Sequence, residues 1–278
     1  MKKLGQLTIL ILIAAIVWGY FKPHSDQVAM SIEKLVLTGS STVAPLVAEI
    51  GKRFESLHPN VRVDVQTGGS SRGVTDTRTG LANIGMISRA LKKNETDLLS
   101  FTIALDGISI IINQSNPVSS LSKQQIIDIY TGKIINWHDV GGNNAPITVV
   151  NKAEGRSTLE LFLHHFELTN TQVKPHVVIG DNQQGIKTVS GNPNAIAYVS
   201  IGAGEYEAEH NIPIKLLPLD GIGASVSNVH NRSFPLSRPL NLITSKQPGG
   251  IAKTFIEFAR SVQVNDLIEA QYFVPIAN

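Results

Sequence analysis

Cysteine is absent from the 278 residues. That excludes disulfides, thiolate metal sites and a lipid anchor built on a processed cysteine. An excess of one charge is missing too. The 24 Lys and Arg against 22 Asp and Glu leave a net +2, which is no footprint of a nucleic-acid binder. With 42% hydrophobic and only 17% charged residues, disorder is not indicated, and the length suffices for two modest domains. No Gly-rich turn leads into Lys-Ser or Lys-Thr, so phosphate-loop chemistry is missing. His164 and His165 are adjacent, hence on different faces of a helix, and make no bidentate metal pair. No cofactor and no metal are expected.

The first residues speak about location. Lys2 and Lys3 precede an apolar run from Leu7 to Tyr20, broken only by Thr8 and Gly19, the pattern of an export signal. Trp18, Tyr20 and Phe21 crowd the place where a small-residue cleavage site belongs. A cleaved signal peptide over residues 1–21 and a retained anchor over 7–21 therefore both stay open. Residues 22–30 form a polar linker. The remainder is expected outside the cytoplasmic membrane, in the periplasm or at the cell surface.

The stretch from Leu37 to Pro45 sets the pattern of the chain. A short apolar strand breaks at Gly39, and apolar residues then recur at Leu46, Val47, Ile50, Phe54 and Leu57, one stripe of a helix. Between them stand Ser40, Ser41 and Thr42, with Pro45 in a first helical turn. Such a helix start offers unpaired N–H groups to an anion, and the hydroxyls add donors. A hydroxyl that merely caps the helix fits the same residues. The arrangement recurs. Val61–Val65 alternates as a strand and runs into Gly68-Gly69-Ser70-Ser71-Arg72-Gly73, with a short helix expected to end near Gly80. Ile84–Ile87 ends in Ser88-Arg89, and Ile103–Asn113 is a longer apolar run interrupted by Asp106-Gly107. Ser122–Tyr130 reads as a helix stopped by Gly132. Ile147–Val150 leads to Lys152 and then Arg156-Ser157-Thr158, where Ser157 and Glu160 read as a capping box. Further strands are expected at Ala195–Ile201, Ile214–Leu217 and Pro239–Thr244, and a helix at Ile251–Val262. The alternation predicts an α/β chain with mostly parallel sheets, whose ligands bind outside the carboxyl ends of strands.

Four hydroxyl- or Arg-bearing turns at such ends converge on one chemistry, an oxyanion site. A buried anion needs many donors, and Ser, Thr, Arg and backbone N–H groups supply them. Monohydrogen phosphate also needs an acceptor for its proton, which sulfate does not. Asp106 is the candidate acceptor, with a plain Asp-Gly turn as the other reading.

The series Leu37–Leu46, Gly68–Ser70, Ile84–Arg89, Asp106-Gly107, Ile129–Trp137, Val140–Gly142, Tyr198–Ser200 and Phe234–Leu240 resembles the phosphate-binding subunit of bacterial phosphate ABC transporters, collinearly from about Leu35 to Pro275. The resemblance implies a two-lobed flytrap fold with hinge strands, residues 31–106 and 227–278 in one lobe and 107–226 in the other. It implies a non-enzymatic, monomeric protein that hands phosphate or a related oxyanion to an ABC permease. By motif, Thr42 and Val43 match the first donor turn, Ser70 the Gly-Gly-Ser donor and Ser88-Arg89 the third position. In the second lobe Lys152 stands for an Arg of the family pattern, Arg156 for a Ser, Ser157 for a Gly and Leu159 for an Arg; Gly155 and Thr158 are kept. With Ser41 and Ser71 these complete the candidate ligand-binding set, and the altered loop opens the choice of anion to an organic phosphate. Arg72, Arg89, Lys152 and Arg156 facing one cleft is a further expectation, with Arg72 and Arg156 pointing to solvent as its counterpart.

Two other readings compete. Gly69-Ser70-Ser71-Arg72-Gly73 matches the nucleophile elbow of serine hydrolases, with Asp181 and His230 in the matching chain order. A tethered sensor or adhesive receptor would use the same binding fold.

Overall fold

The structure is a computed structural model and describes residues 32–276; the expected signal segment and linker lie outside the described residues. No described helix is long and apolar enough to cross a membrane.

The chain builds strands β1 (Glu33–Gly39), β2 (Val61–Thr67), β3 (Ile84–Ile87), β4 (Leu99–Asn113) and β5 (Thr148–Lys152) in its first half. Then come β6 (Val177–Ile179), β7 (Ala195–Ser200), β8 (Ile214–Leu216), β9 (Ser237–Thr244) and β10 (Val274–Pro275). The helices are α1 (Ala44–Leu57), α2 (Ser70–Thr79), α3 (Lys123–Tyr130), α4 (Ser157–Phe166), α5 (Asn182–Gly191), α6 (Ile201–Glu209), α7 (Val226–His230), α8 (Gly250–Ala259) and α9 (Asn265–Ala270). The periodic segments formed the elements expected of them, including the stop at Gly80, which takes a left-handed φ of 73°.

The sheet is mixed. Strands β2-β1-β3 and β6-β5-β7 run parallel, but β9 and β4 join them with antiparallel pairings. The long strand β4 serves both halves. Its first part pairs with β9 from Leu99↔Thr244 to Gly107↔Ser237, and its second pairs with β7 from Ile108↔Ser200 onward. A β-strand buried on both faces reads as an unbroken apolar run, so neither its length nor its change of partner was visible in Ile103–Asn113.

Apolar packing follows the same division. Leu37, Leu46, Phe54, Met86, Leu242 and Phe255 share one core, around β1, β3, β9, α1 and α8. Tyr130, Trp137, Phe162, Phe166 and Tyr198 share another, where Phe162 stacks on Tyr198 with ring centroids 4.0 Å apart. A third cluster, with Ile111, Val150, Ile186 and Val199, lies between α5 and strands β4, β5 and β7. Burying this much apolar surface is what fixes the strand ends relative to one another.

The expected capping box at Ser157 does not form. Arg156 is the N-cap of α4, without a side-chain cap bond, and Ser157 is the first helical residue. Glu160 is drawn instead to Arg89 and Lys92, each at 3.0 Å, because cations outcompete a neutral backbone N–H for a carboxylate.

Candidate functional site

The turns after β1, β3 and β5 meet around one guanidinium, and the turn after β2 joins them through Ser88. At the first, Gly39 has φ 134°, and a Cβ there would lie 2.2 Å from the Met86 carbonyl oxygen, so only glycine lets β1 turn against β3. Ser40 closes the turn before α1, which itself has no side-chain cap: its Oγ accepts from the N–H groups of Thr42 (3.2 Å) and Val43 (3.4 Å). That frees the Thr42 hydroxyl, which accepts from Asn182 Nδ2 at 3.2 Å and Arg238 Nη2 at 3.4 Å. Val43 is fully buried, and Ser41 lines a groove of about 600 Å³ beside the cluster with Asp181, Gln183, Tyr206 and Phe273.

At the second turn, Ser70 Oγ accepts from the Ser88 N–H at 3.2 Å. Gly69, at φ 94°, lies against the loop after β5, and a Cβ on it would come 2.7 Å from the Gly155 carbonyl oxygen. Ser71 donates its N–H to that same oxygen at 3.1 Å and its hydroxyl to Glu160 at 3.4 Å. At the third turn, Ser88 Oγ accepts from Arg238 Nη1 at 3.3 Å. At the fourth, Thr158 Oγ1 accepts from the same Nη1 at 2.9 Å.

Arg238 and Asn182 are the residues that sequence reasoning missed. Arg238, 2% exposed, donates Nε and Nη2 to Asp106 Oδ2 at 3.1 and 2.8 Å and turns its remaining N–H groups to the three hydroxyls. It stands between the candidate acceptor Asp106 and the donors around it. Asp106 Oδ1 in turn accepts from the Gly202 N–H at 3.3 Å. Asn182 opens α5 and ties Thr42 to Lys152, whose Nζ donates to its Oδ1 at 2.9 Å. The signal for Arg238 was an arginine set directly before an apolar, proline-started strand, a poor place for a solvated cation. Asn182 carried none beyond its place after a cap residue.

The other cations divide. Arg89 is buried and engages Glu95 at 2.7 and 2.8 Å as well as Glu160. Those bonds hold the Glu95 carboxyl below its usual range, although burial alone would raise it. Arg72 turns to Asp76, Gln66 and the Thr67 carbonyl, away from the cluster. Arg156 is half-buried against Gly69, and its Nε and the buried Ser157 hydroxyl have no partner. Lys152 is 3% exposed, and burial lowers its pKa from 10.5 to about 7, with Arg238 and Arg156 acting in the same sense and Asp181 opposing.

These contacts have one chemical consequence. The hydroxyls of Thr42, Ser70, Ser88 and Thr158 all accept from protein N–H groups, which leaves each O–H to donate elsewhere. Hydrogen-bond donors are in excess at a buried point, an arrangement that suits a small oxyanion. The elbow residues of the hydrolase reading keep separate jobs. Ser71 bonds Glu160, Asp181 caps α5 through the Gln184 N–H at 2.8 Å, and His230 is exposed at the end of α7. Among the described residues no group of His, Asp and Glu is arranged to hold a metal.

Residues 24–262 match the family model of the PBP superfamily domain. A phosphate-binding protein PstS of Bacillus subtilis is 25% identical, across 100% of this chain and 96% of that one. A Clostridium perfringens structure assigned as a phosphate ABC transporter substrate-binding protein, with bound phosphate, is 31% identical. It superposes with a TM-score of 0.81 over 88% of this chain and 100% of its own. An ABC-type phosphate transport receptor from Vibrio cholerae is 30% identical, with a TM-score of 0.70 over 87% and 99% of the two chains.

Proposed function

The chain belongs to the PBP superfamily, among proteins of phosphate ABC transporters, and from that premise we propose that it captures inorganic phosphate at the Arg238 cluster and delivers it to a permease. The observation that carries this reading is the set of four buried hydroxyls that each accept from a protein N–H group and whose O–H groups are left to donate. Ser157 Oγ and Arg156 Nε, on the two residues before Thr158, are buried without partners and are two further donors of that turn.

In this reading residues 31–106 and 227–278 form one lobe and 107–226 the other, with β4 crossing between them as a hinge strand. The bonds from Asn182 to Thr42, from Arg238 to Thr158 and from Ser71 to Gly155 then bridge the lobes, and the described state is a closed one. Phosphate favours it by binding that conformation better than an open one. The protein acts as an exported monomer and performs no catalysis; its relatives from Bacillus subtilis and Clostridium perfringens are binding proteins, and the basic, apolar N-terminus supports export. Isothermal titration calorimetry of the full chain with phosphate, sulfate and glycerol phosphate tests the assignment. Phosphate should bind tightly with 1:1 stoichiometry. Preference for sulfate or the ester would move the specificity to the Lys152–Thr158 loop, and no binding of any of the three would end the reading.

A further inference from the structure

Lys152 is a buried lysine without a carboxylate of its own. Its ammonium has three N–H groups to satisfy, and its hydrogen bond goes to the Asn182 amide oxygen. The carboxylates nearby are employed elsewhere: Asp106 holds Arg238 and the Gly202 N–H, while Asp181 caps α5. The charged groups acting on Lys152 are Arg238 from β9, Arg156 from the loop before α4, and Asp181 before α5. Two of the three oppose a second positive charge. Tyr198 adds only a neutral hydroxyl, which accepts from the Lys152 backbone N–H at 3.2 Å. A buried ammonium so placed is costly until an anion arrives beside it.

We propose that the free protein populates this closed conformation with Lys152 largely uncharged at mildly alkaline pH, and that the lysine takes up a proton as the anion binds, so that the site captures a dianion and a proton in one event. This rests on the phosphate reading of the site. The amine lone pair takes the proton from solvent, and the new ammonium donates to an oxygen of the anion; no bond of the phosphate breaks. The lowered basicity of Lys152 supports the first half of the cycle, and the field of a bound dianion supplies the second.

The test is calorimetry of the full chain with inorganic phosphate near pH ~8.5, where phosphate is a dianion, in two buffers of different ionisation enthalpy. Their difference in heat counts protons. Uptake of close to one proton per anion is expected, with affinity falling about tenfold per pH unit above pH ~7.5. Lys152→Arg carries a charge that cannot be lost, so it should bind phosphate with no uptake and a flat pH profile. Lys152→Met should bind weakly, also without uptake. Phosphate binding by the unaltered chain with no proton taken up overturns the proposal, whatever the variants do. So does an uptake that persists in Lys152→Arg. Absence of phosphate binding at every pH would instead fail the functional reading on which the proposal stands.

Discussion

Asp106 and Arg238 face each other directly across the antiparallel pair of β4 and β9, and their ion pair, 2.8 Å long and 1% exposed on either side chain, sits where the two halves of the sheet meet. The guanidinium is thereby held by one partner and presented to three hydroxyls. Breaking such a pair from one side leaves a buried charge unmatched. Asp106→Leu and Arg238→Met should therefore each cost about 3–5 kcal/mol of stability, while the two together should cost less than either single change. Urea denaturation of the four proteins measures this. Additive losses would mean that the pair has no coupling.

Arg238→Lys separates structure from recognition. It keeps the charge but loses the planar fork, and the three N–H groups of an ammonium cannot serve Asp106, Ser88, Thr158 and Thr42 together. Phosphate affinity should fall by about tenfold or more, roughly the worth of one charged hydrogen bond. Titration calorimetry reads the change, and an unaltered affinity would place the anion away from Arg238.

Much of this was legible in the sequence. Strands and helices with a clear apolar period appeared where expected, because burial of one face is a local signal. The four turns were also legible as a set, since hydroxyls at strand ends stand out from the apolar runs before them. The partners were not. Arg238 bonds Asp106 across 132 positions of sequence, and only the register of β9 on β4 brings them together. Arg72 looked like a site cation but found Asp76 four residues away on its own helix. Arg89 looked equally free until Glu160, taken for half of a capping box, turned out to pair with it. Strand β6 has only three residues and α5 opens with Asn182, Gln183 and Gln184, so neither carried enough apolar pattern to be seen.

Gly69 should be irreplaceable for reasons that Gly80 is not. Both have positive φ, 94° and 73°, but a Cβ on Gly80 meets nothing within 4 Å, whereas one on Gly69 would strike the Gly155 carbonyl oxygen and Arg156 Cδ at 2.7 and 2.9 Å. Gly80→Ala is expected to cost about 1 kcal/mol of stability and leave phosphate affinity alone. Gly69→Ala should hold the two loops apart and weaken phosphate binding by about tenfold or more, because those loops carry Ser70 and Thr158. Equal affinities in the two variants would show that the contact is not needed for binding.

Glu160 is placed to hold the same loops together without touching the anion. It reaches Arg89 and Lys92 at 3.0 Å and Ser71 at 3.4 Å, all on the far side of the contact from its own helix. Glu160→Gln should loosen that clasp. Because its side chain is 25% exposed and Lys92 is more so, the effect should be modest, about threefold to tenfold in phosphate affinity. X-ray scattering of the free protein should show a larger radius of gyration in the variant, converging with the original when phosphate saturates both. Identical scattering in the free state would reduce Glu160 to an ordinary surface ion pair.

Lys152 should also write itself into the stability of the ligand-free protein. Its pKa is about 7 when folded and near the ordinary 10.5 when unfolded, so between those values the unfolded chain binds more protons. Stability then rises with pH across that window, by about 1.4 kcal/mol per unit from this one group, and the penalty is fully present below pH ~7. Other groups titrate as well, so the useful quantity is a difference. The gap in unfolding free energy between the unaltered chain and Lys152→Met should narrow or reverse from pH ~7 to pH ~9, moving in favour of the lysine. Saturating phosphate should abolish that drift, since the bound dianion keeps the lysine protonated in the folded state too. A gap that stays constant with pH would mean that Lys152 carries its proton in the free protein, and the coupled capture of anion and proton would fall with it.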